Sequence, residues 1–253
     1  MTLLEPAFHT DRGDKRPVNE DRIYTAQYQI NGEEWGIFVV ADGMGPWGRG
    51  SIASQSAIDL LTAWWQRDLV TILSMPFAAE DIVQSLDNVL GQINEKIVAQ
   101  QDGKMIGTTL SILLVMGTKY ILRHVGDSRI YILSSDTLTQ LTEDHSYVAE
   151  MVREGVITKE AAKNHPQRNV ITRCFGTKIM PRVFEYQGVF EYGDVFVLAS
   201  DGFYNMAEED DMIKIIQSTV PLEERVLGLR QLVKPGTAHD NVSIGLVATD
   251  MAF

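Results

Sequence analysis

Three apolar runs, far apart in the chain, each carry an aspartate at one end: Val39-Val40-Ala41-Asp42-Gly43, Val197-Leu198-Ala199-Ser200-Asp201-Gly202, and His239-Asp240-Asn241 leading into Val242–Val247. Two of the runs end in their acid and the third begins after it, so as antiparallel neighbours they would bring all three carboxylates to the same edge of a sheet. Carboxylates crowded into a partly desolvated pocket cannot all stay ionised unless cations neutralise them, and oxygen ligands suit hard divalent ions. The pattern asks for a metal.

Singly, the pieces are bland. Asp42-Gly43, Asp201-Gly202 and Gly126-Asp127-Ser128-Arg129 each read as a turn between elements. Trp64-Trp65 and the scattered methionines read as core. His9, His124 and His165 read as structural, while His145 follows Thr142-Glu143-Asp144 at a helix start that Asp144 could cap. Gly43-Met44-Gly45-Pro46-Trp47-Gly48 matches the glycine spacing of a dinucleotide-binding turn. Its context argues against that use. Asp42 would face the pyrophosphate, Pro46 removes a backbone donor, and no acid closes a second strand about 20 residues on.

The elements that must position these residues follow from periodicity and turn chemistry. Strands are expected at Arg22–Tyr28, Trp35–Ala41, Thr109–Met116, Lys119–Val125, Arg129–Leu133, Arg182–Gln187, Val195–Ala199 and Val242–Val247. Helices are expected at Ser51–Gln66, Glu80–Gln100, Ser146–Glu154, Glu208–Ser218 and Leu222–Val233. The turns Gly117-Thr118 and Gly126-Asp127-Ser128 are too short for crossover connections, so the middle strands form antiparallel hairpins with helices outside the sheets. The expected architecture is a layered α/β protein.

Composition narrows the function. With 253 residues and 45% hydrophobic content, the chain can bury roughly 70–75% of its unfolded surface in one core, so a single domain over 1–253 is expected. Lys+Arg 22 against Asp+Glu 34 leaves −12, a charge that argues against nucleic acid or an anionic membrane as partner. One cysteine, Cys174, excludes an internal disulfide framework. Met1–Pro17 holds no apolar export segment, and no run approaches the ~20 apolar residues of a membrane span, so a cytoplasmic protein is expected.

The order of the motifs is more specific than any one of them. Arg16-Pro17-Val18-Asn19-Glu20-Asp21, Val40-Ala41-Asp42-Gly43-Met44-Gly45, Gly107-Thr108-Thr109, Gly126-Asp127-Ser128-Arg129-Ile130-Tyr131, Leu141-Thr142-Glu143-Asp144-His145-Ser146, Asn169-Val170-Ile171-Thr172-Arg173, Ala199-Ser200-Asp201-Gly202 and Asp240-Asn241 occur in series. From about Thr10 to Val247 the chain resembles the bacterial branch of the metal-dependent protein serine/threonine phosphatases, type 2C.

The resemblance implies an α-β-β-α sandwich, two antiparallel sheets flanked by helices, with the metal site at one edge. It implies two Mn²⁺ or Mg²⁺ ions bridged by Asp42, one joined by the Gly43 carbonyl and the other held by Asp201 and Asp240. Glu20 and Asp21 would contact metal-bound waters or support the ligands, Asp127 would help hold a third, weaker ion, and Asn241 would orient Asp240. Arg16 matches the phosphate-binding arginine. A hydroxide bridging the two metals would attack phosphoserine or phosphothreonine in line. The insertion 142–169, with His145 and Ser146, would form a flap beside the metals that selects substrates.

The chain also departs from its apparent relatives. They commonly continue Asp-Gly-Met-Gly with Gly-His and later Glu, where this chain has Pro46, Trp47 and Ser51. That histidine is a candidate acid for the leaving alkoxide. Two readings of Trp47 stay open: a site that has lost its acid, or an indole that lies over the site and seats a substrate side chain. Because every metal carboxylate survives, the expectation is an active, monomeric enzyme that dephosphorylates proteins and reverses a partner kinase. The alternatives are a catalytically weak pseudophosphatase that binds phosphoproteins, and a phosphatase for small phosphate esters.

Overall fold

The computed structural model of the chain describes residues 2–30 and 32–251. Its strands are β1 (Thr2–Asp11), β2 (Arg22–Ile30), β3 (Glu33–Ala41), β4 (Gly43–Met44), β5 (Gly107–Thr108), β6 (Leu110–Met116), β7 (Lys119–Val125), β8 (Arg129–Ser134), β9 (Thr137–Gln140), β10 (Phe184–Val189), β11 (Val195–Ala199) and β12 (Val242–Met251). The helices are α1 (Gly50–Ala63), α2 (Val70–Leu73), α3 (Ala79–Ala99), α4 (Tyr147–Arg153), α5 (Lys159–Lys163), α6 (Asp201–Tyr204), α7 (Glu209–Ile216) and α8 (Leu222–Leu232).

Two antiparallel sheets, ordered β1-β12-β11-β8-β9 and β10-β7-β6-β3-β2, pack face to face. Side-chain alternation shows why helices must cover both outer faces. In β3, Phe38 and Val40 point into the inter-sheet core with Leu113, Leu122, Ile130, Phe196 and Leu198. Their neighbours Ile37, Val39 and Ala41 point the other way, against Leu61 and Trp64 and against Leu86 and Leu90 of α3. On the opposite face Val197, Ala199, Ile244 and Leu246 meet Met212 of α7 and Leu229 of α8. The result is the expected α-β-β-α sandwich. No helix of the described residues is long and apolar enough to cross a membrane.

The long first helix does not stop near Gln66. A π turn at Trp64–Leu69 carries it on into α2. The wider turn lets two consecutive tryptophans, Trp64 and Trp65, both reach the core. The expected strand at Arg182–Gln187 begins two residues later, at Phe184, and four strands, β1, β9 and the two-residue β4 and β5, lie outside the expected set.

Candidate active site

The site sits where the two sheets meet. Asp201 and Asp240 lie on one side, just after β11 and just before β12, which pair antiparallel from Val195↔Ala248 to Ala199↔Ile244. Asp42 follows β3, which belongs to the other sheet. The three acids therefore gather at one edge of the sandwich and not of a single sheet, a correction to the sequence-based expectation. An apolar run buried on both faces records its burial but not its partner.

Short-range contacts fix Asp42. Its N–H donates to the Thr109 hydroxyl at 3.0 Å, and its carbonyl accepts from the Thr109 N–H at 2.8 Å and the Thr108 hydroxyl at 3.0 Å. Gly43 is pressed against the start of α1 so closely that a Cβ on Gly50 would lie 2.4 Å from the Gly43 carbonyl carbon. Glu20 ties these parts together. Its carboxylate accepts from the Gly50 N–H at 2.7 Å, its carbonyl accepts from Ser54 Oγ at 2.6 Å, and its N–H donates to Asn241 Oδ1 at 2.8 Å.

Arg16, Glu20, Asp42, Gly43, Asp127, Asp201 and Asp240 line one cavity of about 220 Å³. Met44, Gly45, Thr109, Asn169 and Ile171 complete its wall. Asp21 lies behind it, buried, with one oxygen accepting from Ser243 Oγ at 2.6 Å. Asn241 makes two sets of contacts. Its side chain clamps the 12–20 loop, donating to the Arg12 and Val18 carbonyls at 2.9 and 3.0 Å, while its backbone N–H orients Asp240 at 2.8 Å. Arg16 Nη2 donates to Asp240 Oδ2 at 2.7 Å, so the guanidinium stands on one of the cavity's carboxylates.

His145 and Ser146 are buried, beneath the flap and not on its surface. The Ser146 hydroxyl, and not Asp144, caps α4 by accepting from the Ala149 N–H, because Asp144 is engaged by the Arg129 guanidinium. His145 Nδ1 accepts from the Gly126 N–H at 3.1 Å, beside Asp127, and its ring stacks on His124 at 5.0 Å. Burial, His124 and Arg173 push the His145 pKa down to about 3, so the ring is neutral with its proton on Nε2. Ser146 bridges to Ile171, which puts Asn169 and Ile171 on the cavity wall. Trp47 is absent from that wall. The residue is 78% exposed.

Burial is the first cause of the site's electrostatics, and mutual repulsion of the acids is the second. Asp42 is held well above the ordinary carboxylate range by burial and by Asp21, Asp201, Asp127 and Asp240. Asp201 is pushed up to about 6 by burial and then Asp240, and Asp127 to about 8 by burial and then Asp201 and Asp144. Asp21 rises to about 7 through burial, against the hydrogen bond from Ser243. Asp21 Oδ1 and Asp201 Oδ1 are buried without a partner. Unpaired buried carboxylate oxygens in a repelling cluster fit hard divalent cations. Among the described residues no three His, Cys, Asp or Glu side chains already close around one point as a complete ligand set. Ions held through one or two carboxylates, with water completing the shell, do not require one.

This fold with an acidic, arginine-flanked cavity at the sandwich edge defines a class. The protein phosphatase 2C family model matches residues 10–234, and the chain belongs to that family. It is therefore a metal-dependent protein serine/threonine phosphatase with a binuclear Mn/Mg centre. The serine/threonine phosphatase stp of Listeria monocytogenes serotype 4b is 34% identical over 252 residues, covering 98% of this chain and 97% of the relative. Protein phosphatase PhpP of Streptococcus pneumoniae is 32% identical over 249 residues and 97% of both chains. Among solved structures, the Streptococcus agalactiae serine/threonine phosphatase superposes with a TM-score of 0.85 at 31% identity, over 97% of this chain and 99% of the other. The catalytic domain of PstP, solved with two manganese ions, gives 0.79 at 29% identity, over 99% and 100%.

Proposed function

We propose that this cavity binds the phosphoryl group of phosphoserine and phosphothreonine in proteins. In this reading Asp42, Asp201 and Asp240 with the Gly43 carbonyl would hold the two Mn²⁺ or Mg²⁺ ions, and Asp127 would serve a third, weaker ion. The observation that carries it is the convergence of these four carboxylates with Glu20 and Arg16 on one cavity. When bound, the cations acidify water to make the nucleophile and neutralise the phosphoryl oxygens.

The chain's own residues supply the rest. Glu20 and Asp21 support the liganding loops from behind. Arg16 is already within reach of the cavity and binds a phosphoryl oxygen after exchanging Asp240 for substrate, a charge-assisted contact. Among the described residues no histidine lines the cavity, so the alkoxide takes its proton from a carboxylic acid or from water. His145 positions the Gly126-Asp127 turn and Ser146 starts the flap helix, while the flap over 142–169 selects substrates through its exposed face.

The core that both sheets share supports one phosphatase domain, and −12 supports a monomer; its proposed setting is the cytoplasm and its proposed substrates are proteins phosphorylated by a partner kinase. The decisive experiment measures phosphate release from a phosphothreonine peptide with Mn²⁺, with and without chelator. Release that chelator does not abolish would defeat the proposed site.

A further inference from the structure

Beside the cavity stands a residue that is both strained and exposed. Trp47 has φ 56 and ψ 35, the left-handed region that a bulky side chain rarely occupies. Such conformations persist where function holds them. The residue is 78% exposed, and its ring lies under the Lys104 ammonium, with Nζ 3.4 Å from the ring centroid.

The pair stands just beyond the short ladder that positions the site. Gly43 pairs with Thr108 and Met44 with Gly107, antiparallel; the chain then turns at Pro46–Gly48, and the turn brings the Trp47 ring against Lys104 on the segment that leads into β5. Asp42 lies at one end of this short ribbon and the Trp47–Lys104 pair beyond the other. Val18 touches the same turn, since a Cβ on Gly48 would come within 3.2 Å of its Cγ2. Val18 and Met105 are themselves exposed, so the pair sits in a small apolar rim beside a cavity of carboxylates. No carboxylate of the described residues lies within ion-pair distance of Lys104.

We propose that Trp47 and Lys104 form a recognition site for the substrate segment next to the phosphorylated residue, with an aspartate or glutamate side chain on Lys104 and the peptide lying against the indole. This rests on the cavity being the phosphoprotein site. The choice of an acidic side chain follows from charge. The indole face is already covered by a cation, so a substrate arginine or lysine meets repulsion, whereas a carboxylate takes the ammonium hydrogens that the ring leaves unused. The ring in turn holds the flexible lysine in place, sparing the entropy that an exposed lysine loses on pairing.

The test compares kcat/KM of the Mn²⁺-loaded full chain on phosphothreonine peptides differing only in Glu, Ala or Lys at each position flanking the phosphothreonine. The wild type should prefer Glu over Ala at one flanking position by about two- to five-fold, the range of an exposed ion pair, and lose the preference in high salt. Lys104→Ala and Trp47→Ala should bring the ratio to about one, and Lys104→Glu should invert it in favour of Lys. Because the readout is a ratio between substrates, a general loss of activity in a variant cancels. Equal rates on all wild-type peptides, or a Glu preference that survives Lys104→Glu, would overturn the proposal. If p-nitrophenyl phosphate is turned over but no phosphopeptide is, the phosphoprotein reading has failed and takes this one with it.

Discussion

Replacing Asp201 by asparagine should raise the stability of the metal-free protein while destroying its activity. Asp201 is pushed up to about 6 from 3.8, by burial first and by Asp240 second. Between those values the folded state keeps a proton that the unfolded chain releases, so stability falls as pH rises from about 4 to about 6 and stays low above. Two pH units at ~1.4 kcal/mol each make the penalty about 3 kcal/mol. Asparagine has the same shape and no charge to bury, so the variant escapes it. For a chain of this size, where 1 kcal/mol moves Tm by about 2–4 °C, the chelated variant should melt about 6–12 °C above the chelated wild type near neutral pH. The gap should close toward about pH 4, where the wild-type carboxyl is protonated in both states. Saturating Mn²⁺ should reverse the order, because binding to the folded state stabilises the wild type more than a variant lacking one ligand. Turnover with Mn²⁺ should drop at least ~10³-fold, about 4 kcal/mol of barrier. Thermal melts by circular dichroism with chelator and with Mn²⁺, paired with phosphate-release rates, read every arm. A chelated variant that melts below the wild type at neutral pH would refute the repulsion argument, and near-normal Mn²⁺-dependent turnover would refute the ligand assignment.

Arg16→Ala should lower kcat/KM by about 1.5–3 kcal/mol of transition-state binding and weaken inhibition by inorganic phosphate. Since the guanidinium competes for Asp240, Mn²⁺ affinity should hold or rise in a calorimetric titration, and a fall would place Arg16 among the supports of the metal site. Gly50→Ala puts a methyl group 2.4 Å from the Gly43 carbonyl carbon, so Mn²⁺ affinity and turnover should both fall at least ~10-fold, the expected response to a small displacement of the site; unchanged Mn²⁺ binding would mean that the close approach does not shape the site. Asn94→Ala strips the Gly176 N–H and Thr177 carbonyl of their buried partner, at 2.8 and 2.9 Å, and should cost about 2–3 kcal/mol in urea unfolding. A loss below about 0.5 kcal/mol would mean that water replaces the amide there.

Val195–Ala199 was legible to the residue because it is a compact apolar run closed by polar punctuation, and Lys119–Val125 because the turns Gly117-Thr118 and Gly126-Asp127-Ser128 close it at both ends. β1 was not. Its sequence, TLLEPAFHTD, carries a proline and charges, which an edge strand tolerates, and its pairing partner β12 lies at the other end of the chain. β9 is a four-residue exposed edge strand, TLTQ, with almost no apolar signal. The carboxylates of the cavity were legible as types at strand ends, yet which sheet each belonged to depends on long-range register that no local pattern holds. Asn169 and Thr109 already stood among the ordered motifs, and that order was the signal for them; their place on the wall comes from the Ser146–Ile171 bridge and the β4–β5 ladder. His145 stood out in the sequence only as part of the flap motif, while its burial comes from Gly126 and His124 on another hairpin.

Asp42 hangs from one sheet and Asp201 and Asp240 from the other, so a cation shared among them would be a rivet through two plates. Sliding one sheet over the other by an ångström would leave every hydrogen bond within each sheet intact and still pull the ligands apart. The affinity for Mn²⁺ would thus gauge how the plates are seated, and a core substitution between Phe38 and Phe196, neither of which lines the cavity, should register in metal binding before it registers in the melting curve.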